Sequence, residues 1–320
     1  MAVAERTVQL TTPVRKERSP WGDAWYQLTR NRVAVGSLVF IFLLIFVAIF
    51  APVIAPAHFA EGSLEDNYAL PGDKFLVGAD FMGRDILSRT IYGARVSISV
   101  AIVASLVSLL VGLTVGVISG YIGGRVDNII MRIVDVIYAY PFIVFVILMQ
   151  VYFKAISRRG GSEGFAGTLI EFDSMTGGML FVFIAIGLIN WLQMARLARG
   201  QVLSYKEKEF IEAAHSIGAS GGRIIFRHLV PNIIGPLIVA ETLQIPTYIF
   251  LEAFLSFIGL GVDPPTPSWG AMVSEGFKGL RSYPHLIAAP AIALCLTTLS
   301  FNFLGDGLRD ALDPRLRGKV

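Results

Sequence analysis

Six long apolar stretches alternate with polar ones along the chain. Val33 to Ala57 carries no charge and is long enough to cross about 30 Å of hydrocarbon as a helix. Arg95 to Tyr121 follows, and in it Ala104, Ser108, Gly112, Gly116 and Gly120 recur every four residues. Small side chains at that spacing let a neighbouring helix approach closely. A third span is predicted at Ile129–Phe153, capped by Asn128 and kinked at Tyr140-Pro141. Met179–Met194 is the fourth, with Asn190 and Gln193 one turn apart. Ile233–Ile258 is the fifth; Pro236 and Pro246 interrupt it, and it contains Glu241, Gln244 and Glu252. His285–Leu304 is the sixth, with Gly305 placed to end its helix.

The polar segments carry their own patterns. Aromatic rings beside arginines suit a headgroup layer, so Trp21–Arg32 reads as an interfacial helix. After Asp80 or Asp85 a short helix should lie on the membrane, turning Ile86, Leu87 and Ile91 downward. Gly120–Asp127 reads as a tight turn, and Arg132 and Asp135, one helical turn apart, are spaced to pair. In Lys206–Asn232, Phe210, Ala213, Ala214 and Ile217 fall on one helical stripe. Gly218 is placed for a left-handed cap, Ser220 for the cap of a second short helix, and Pro231 to close it. The product is a helix–turn–helix elbow whose small Ala side chains admit another surface.

Composition places these helices in a bilayer. Of 320 residues, 54% are hydrophobic and 16% charged, with mean hydropathy +0.64. Soluble domains average about 25% charged residues. A net charge of +3 and a pI near 9.0 would suit nucleic acid in a soluble chain. Here two thirds of the 27 Lys and Arg fall on the side that holds both termini and the Lys206–Asn232 elbow. That bias predicts cytoplasmic termini and no nucleic-acid partner.

Candidate chemistry is sparse. Cys295 is the single cysteine, and the histidines (His58, His215, His228, His285) are scattered, with no His-Glu-x-x-His, so no metal or catalytic centre is expected. The Gly120 turn lacks the Lys-Ser/Thr of a phosphate loop. Gly160-Gly161-Ser162-Glu163-Gly164 fits the hydrolase Gly-x-Ser-x-Gly spelling without the strand and helix that motif requires. Two rival classes stay open. A secondary transporter would use Glu241 or Glu252 as an ion-coupling carboxylate. An intramembrane hydrolase would use Ser162.

A family resemblance ties these segments together. Glu212-Ala213-Ala214, then Gly218, then Pro231 resemble the EAA loop of ABC importer permeases, with His228 and Val230 departing from the consensus. Gly78–Asp85, Arg227–Asn232, Gly259–Gly270 and Asn302–Arg315 resemble the C-type subunit of the dipeptide/oligopeptide branch. The resemblance implies an all-α, six-helix type I importer permease. Its permease domain would span 33–305, with a coupling loop at 197–231 and tails at 1–32 and 306–320. It also implies a B-type permease partner, two ATPase subunits that bind ATP and magnesium, and an extracytoplasmic peptide-binding protein. No cofactor is implied in this chain. Glu212, Ala213, Ala214, Gly218 and Pro231 would couple to the ATPase. Lys154–Gly178 and Gly259–Pro284 are expected to receive the binding protein, with Ser162, Pro265, Ser268 and Trp269 as candidate contacts. Glu241, Gln244 and Glu252 are candidates for the translocation path. Relatives with similar motifs handle dipeptides, longer peptides, nickel complexes, glutathione or opines, so the resemblance leaves the cargo open.

Overall fold

The computed structural model describes residues 20–158, 167–168, 171–173 and 178–313, and these are helices joined by turns, with no strand among them. The amphipathic helix α1 (Pro20–Arg30) buries Ala24 and Leu28 and leaves Trp25 and Tyr26 exposed. The side chain of Asn31 then accepts from the backbone N–H groups of Val33 and Ala34 at 3.1 Å and starts α2 (Arg32–Ile49). That capping residue turns a surface helix into a span. The expected first span breaks at Phe50 and ends in one further turn, Ala51–Ile54.

The next element, α3 (Ile86–Ile122), runs for 37 residues. It merges the expected surface helix with the second span. The carboxylate of Asp85 takes the Ser88 N–H at 2.8 Å and the Ser88 hydroxyl at 2.5 Å, so the helix begins there and runs without interruption through Arg95. At 1.5 Å per residue it is about 55 Å long, well beyond a hydrocarbon core.

α4 (Gly124–Tyr138) starts after Gly123, where φ is +71°, so Asn128 lies inside the helix rather than at its cap. Tyr140-Pro141 breaks the chain as expected. α5 (Phe142–Arg158) leaves at a 78° bend. α6 (Leu180–Lys206) runs parallel to α3. A Cβ on Gly112 would meet the side chain of Met194, one on Gly116 that of Ala198, and one on Gly120 that of Val202. The constant offset shows that the small-residue stripe seats α6 along α3.

α7 (Glu209–Ser216) is followed by α8 (Gly221–Phe257). Pro231 does not close a second short helix as expected. The five residues Ile225–Leu229 form a π turn, in which the Val230 N–H reaches the Ile225 carbonyl. Pro231 then occupies the first turn of the following α-helical stretch, where its missing N–H is least costly. The Asn232 amide donates to the His228 carbonyl at 2.6 Å. α9 (Trp269–Phe277) and α10 (His285–Leu312) complete the bundle. Gly305 does not end α10. It lies inside the helix, where a Cβ would strike Leu243 of α8 at 2.5 Å.

Large apolar side chains ring the bundle. Phe42, Leu43, Phe46, Leu106, Leu110, Leu148 and Ile292 are all exposed, a pattern that water does not tolerate over so wide a surface. Among the described residues four helices (α2, α3, α8 and α10) are long and apolar enough to cross a membrane, five if the bent α4–α5 pair is one span. α6 is not among these.

Candidate coupling surface and buried carboxylates

The elbow after α6 is built from its own short-range bonds and then locked into the bundle. Gly218, at φ +78°, donates to the His215 carbonyl at 2.9 Å, and Ala219 donates to the Ala214 carbonyl at 3.0 Å. This pair of bonds is a Schellman C-cap, and only a residue free to take positive φ completes it without strain. Ser220 stands at the cap position of the next helix, but its side chain caps nothing.

The two alanines of the triplet differ in burial. Ala214 is buried with Ile211 in a cluster that includes Val117, Val202, Ile224 and Leu229. Ala213 is exposed. With Phe210, Ala214, Ile217 and Ala219 it lines an open groove of ≈ 410 Å³, whose other wall is Arg223, Arg227 and His228. Ile217 is 85% exposed, an apolar tip that the described residues leave uncovered. Glu212 is exposed beside the groove rather than within its lining. Pro231 lies at the start of the α-helical stretch that follows the π turn. The basic wall was legible in Arg223 and Arg227, which share a helical face at i and i+4. Which way that face pointed was not.

Behind the elbow, α3, α4 and α6 are joined by charge. The Arg199 guanidinium grips Asp127 with two nitrogens, at 2.5 and 2.6 Å, and Ser119 donates to the same carboxylate. Asp135 pairs with Arg196 at 2.7 Å, not with Arg132. Arg132 is on the same helix, but the Arg196 side chain crosses from α6 and also lies over the Tyr138 ring at 4.5 Å. The polar line continues: Gln193 donates to the Tyr138 hydroxyl at 3.4 Å, and Gln244 donates to Gln193 at 3.1 Å.

Glu241 and Glu252 sit elsewhere. Glu241 is 4% exposed and accepts from the Tyr248 hydroxyl at 2.7 Å and from Ser108 at 3.3 Å. Glu252 is fully buried and accepts from Ser256 at 2.7 Å and Ser97 at 3.1 Å. Both carboxylates therefore have hydroxyl partners within this chain, and Gln244 alone of the expected path residues reaches the polar line.

At the end of the bundle away from α7, Ser268 caps α9 by accepting from the Ala271 N–H at 3.2 Å. Ser268 and Trp269 are both buried, and the Trp269 indole donates to the Thr90 carbonyl at 3.0 Å. They face inward because the stretch before them turns the chain back onto α3 and α8. Pro265 is exposed. Ser162 lies outside the described residues, as does the Gly160–Gly164 segment. No group of His, Cys, Asp and Glu able to hold a metal occurs among the described residues.

The family model described as "Binding-protein-dependent transport system inner membrane component" matches residues 112–318, and "N-terminal TM domain of oligopeptide transport permease C" matches 19–71. The chain is 42% identical to the oligopeptide transport system permease protein OppC of Salmonella typhimurium strain LT2, over 94% of this chain and 93% of that protein. It is 40% identical to the glutathione transport system permease protein GsiD of Shigella flexneri serotype 5b, over 94% of this chain and 92% of that one. Among solved structures it shares the fold of a chain of the MetNI methionine ABC transporter, with a TM-score of 0.51 and 18% identity over 70% of this chain and 96% of that one.

Proposed function

Because the chain belongs to the family of binding-protein-dependent transport system inner membrane components, and is a permease subunit of the oligopeptide type, we propose that it forms half of a translocation path for small peptides. In this reading its coupling surface for the ATPase is the groove beside α7. The observation that carries the assignment is the groove itself: an exposed Ala213 and an exposed apolar tip at Ile217 on a capped helix packed into α3, α6 and α8, faced by a basic wall from the start of α8. A partner that inserts an apolar ridge with acidic flanks would match it in shape and charge. Glu212, standing beside the groove, would meet a cation of the same partner. Gly218 and Pro231 act by shaping the elbow.

The same reading extends to the rest of the chain. The α7 end is cytoplasmic in this reading, which the Lys and Arg bias supports, and both termini share that side. α6, 27 residues long and seated along α3, supplies the sixth span. Residues 33–305 form the permease domain, with the coupling loop at 197–231 and tails at 1–32 and 306–320. The path is lined by the polar series of exposed Tyr138, exposed Gln193 and half-buried Gln244, since polar groups at membrane depth persist where they face water or protein. An extracytoplasmic binding protein docks on the surface around Pro265 and on the segment that contains Ser162. A second permease of B type and two ATPase subunits, which carry ATP and magnesium, complete the machine; this chain holds no cofactor.

Glutathione is a second cargo reading, favoured by the equally long match to a glutathione permease. Reconstitution with the partner subunits tests both readings. Uptake of labelled peptide should require ATP and the binding protein and should survive collapse of the proton gradient. Competition by glutathione would shift the cargo assignment. Uptake driven by the gradient without ATP would refute the importer reading and revive an ion-coupled mechanism.

A further inference from the structure

Two buried carboxylates on α8 meet two serines on α3 at matched intervals. Ser97 donates to Glu252 at 3.1 Å and Ser108 donates to Glu241 at 3.3 Å. The residues on each helix are 11 apart, running in opposite directions. Eleven residues are close to three full turns, so both contacts lie on the same face of each helix. A slip of α8 along α3 by one residue would break both at once and leave each buried carboxylate with only its own-helix partner, Tyr248 or Ser256, at membrane depth, where a lost hydrogen bond is expensive.

The Glu252 contact is part of a longer chain. Ser256 donates to Glu252, and Ser268 donates to Ser256 at 3.1 Å while capping α9. α9 returns to α3 twice more, through the Trp269 indole on the Thr90 carbonyl and through Glu275, which lies 3.1 Å from the Arg89 guanidinium. Apart from the Ser256–Glu252 bond within α8 and the Ser268 cap of α9, each polar tie named here joins α3, α8 or α9 to another of the three. At the opposite end, α8 reaches the elbow only after the π turn at Ile225–Leu229, a wider and less regular coil.

We propose that Glu241 and Glu252 are positioning residues that lock α8 in register with α3. On this account α3, α8 and α9 move as one body when the elbow moves, and α8 does not slide along α3. The inference rests on the permease reading but not on the cargo. Hydrogen bonding is what matters, so an amide should serve as well as a carboxylate.

The test compares the assembled transporter carrying Glu241→Gln with Glu252→Gln against one carrying Glu241→Leu with Glu252→Leu. The readout is peptide transported per ATP hydrolysed. The Gln pair should couple like the parent. The Leu pair should hydrolyse ATP when the binding protein is added yet move several-fold less peptide per ATP, because a loosened helix pair wastes the stroke. A residue that merely held the fold would lower both rates together. Unchanged coupling in the Leu pair, or coupling lost in the Gln pair, would overturn the proposal. If the Leu pair fails to assemble, structures of the unmodified complex at rest and trapped with ATP decide it. Both Ser–Glu contacts should persist in each state, and a slide of α8 past α3 that breaks either one would contradict the lock. Failure of the parent to transport would instead fault the functional reading.

Discussion

Arg199 of α6 holds both carboxylate oxygens of Asp127, the residue four positions past the α3–α4 turn, at 2.5 and 2.6 Å. The pair is two-pronged, Asp127 is buried, and Ser119 adds a third donor. It joins the end of α3 to the stretch of α6 that leads into the elbow. Lysine offers one point charge in place of a planar fork. Arg199→Lys or Asp127→Asn should therefore lower the stability of the purified permease complex by about 1–3 kcal/mol, read as a fall in melting temperature in detergent. Arg132→Lys, on an exposed residue that the described contacts leave outside this network, should change it far less.

The α3–α6 seam makes a second demand. A Cβ on Gly116 would stand 2.5 Å from the Ala195 carbonyl and 2.6 Å from the Ala198 Cβ. Both neighbours sit on a helix backbone that can yield only by moving away as a whole. Gly116→Leu should destabilise the bundle by about 1–3 kcal/mol or more and reduce the amount of folded protein recovered from membranes. Gly222→Ala has nothing within 4 Å of its Cβ and should be tolerated.

The polar line gives a prediction about transport rather than folding. Gln193 bridges Tyr138 and Gln244. Gln193→Leu should leave assembly and basal ATP hydrolysis intact and slow peptide uptake, because a path lined by an apolar side chain loses a hydrogen-bonding step for passing amides. Uptake assays with a set of peptides, at matched protein levels, check this. Normal uptake of every peptide would remove the line from the path.

Four of the six expected spans were legible because a long apolar run suits a bilayer and little else, and the elbow because Gly218, the Ala pair and the helical stripe all mark local structure. What stayed hidden depends on distant partners. Asp135 has Arg132 beside it in sequence, yet its partner Arg196 is 61 residues away. Gly305 resembles a helix end until Leu243 is placed against it. Glu241 in an apolar span suggests a wet path, but its hydroxyl partners come from α3 and from a tyrosine two turns along α8. Ser268 and Trp269 lie in a loop-like sequence, and only the fold turns them inward. Arg95 suggested the start of a span, although a helix end is fixed by its cap, here Asp85, and not by the first charge.

In the function proposed here, the groove beside α7 passes the ATPase stroke to the membrane helices. Ala213→Trp tests it most directly, because Ala213 is exposed in the groove while its neighbour Ala214 is 4% exposed and belongs to the core. The measurement is ATPase retained on the purified permease pair, together with ATP-dependent peptide uptake. Ala213→Trp should leave the permease pair folded and inserted but strip it of ATPase or abolish uptake. Ala214→Trp should damage the permease itself. An Ala213→Trp complex that keeps its ATPase and transports at the parental rate would contradict the account.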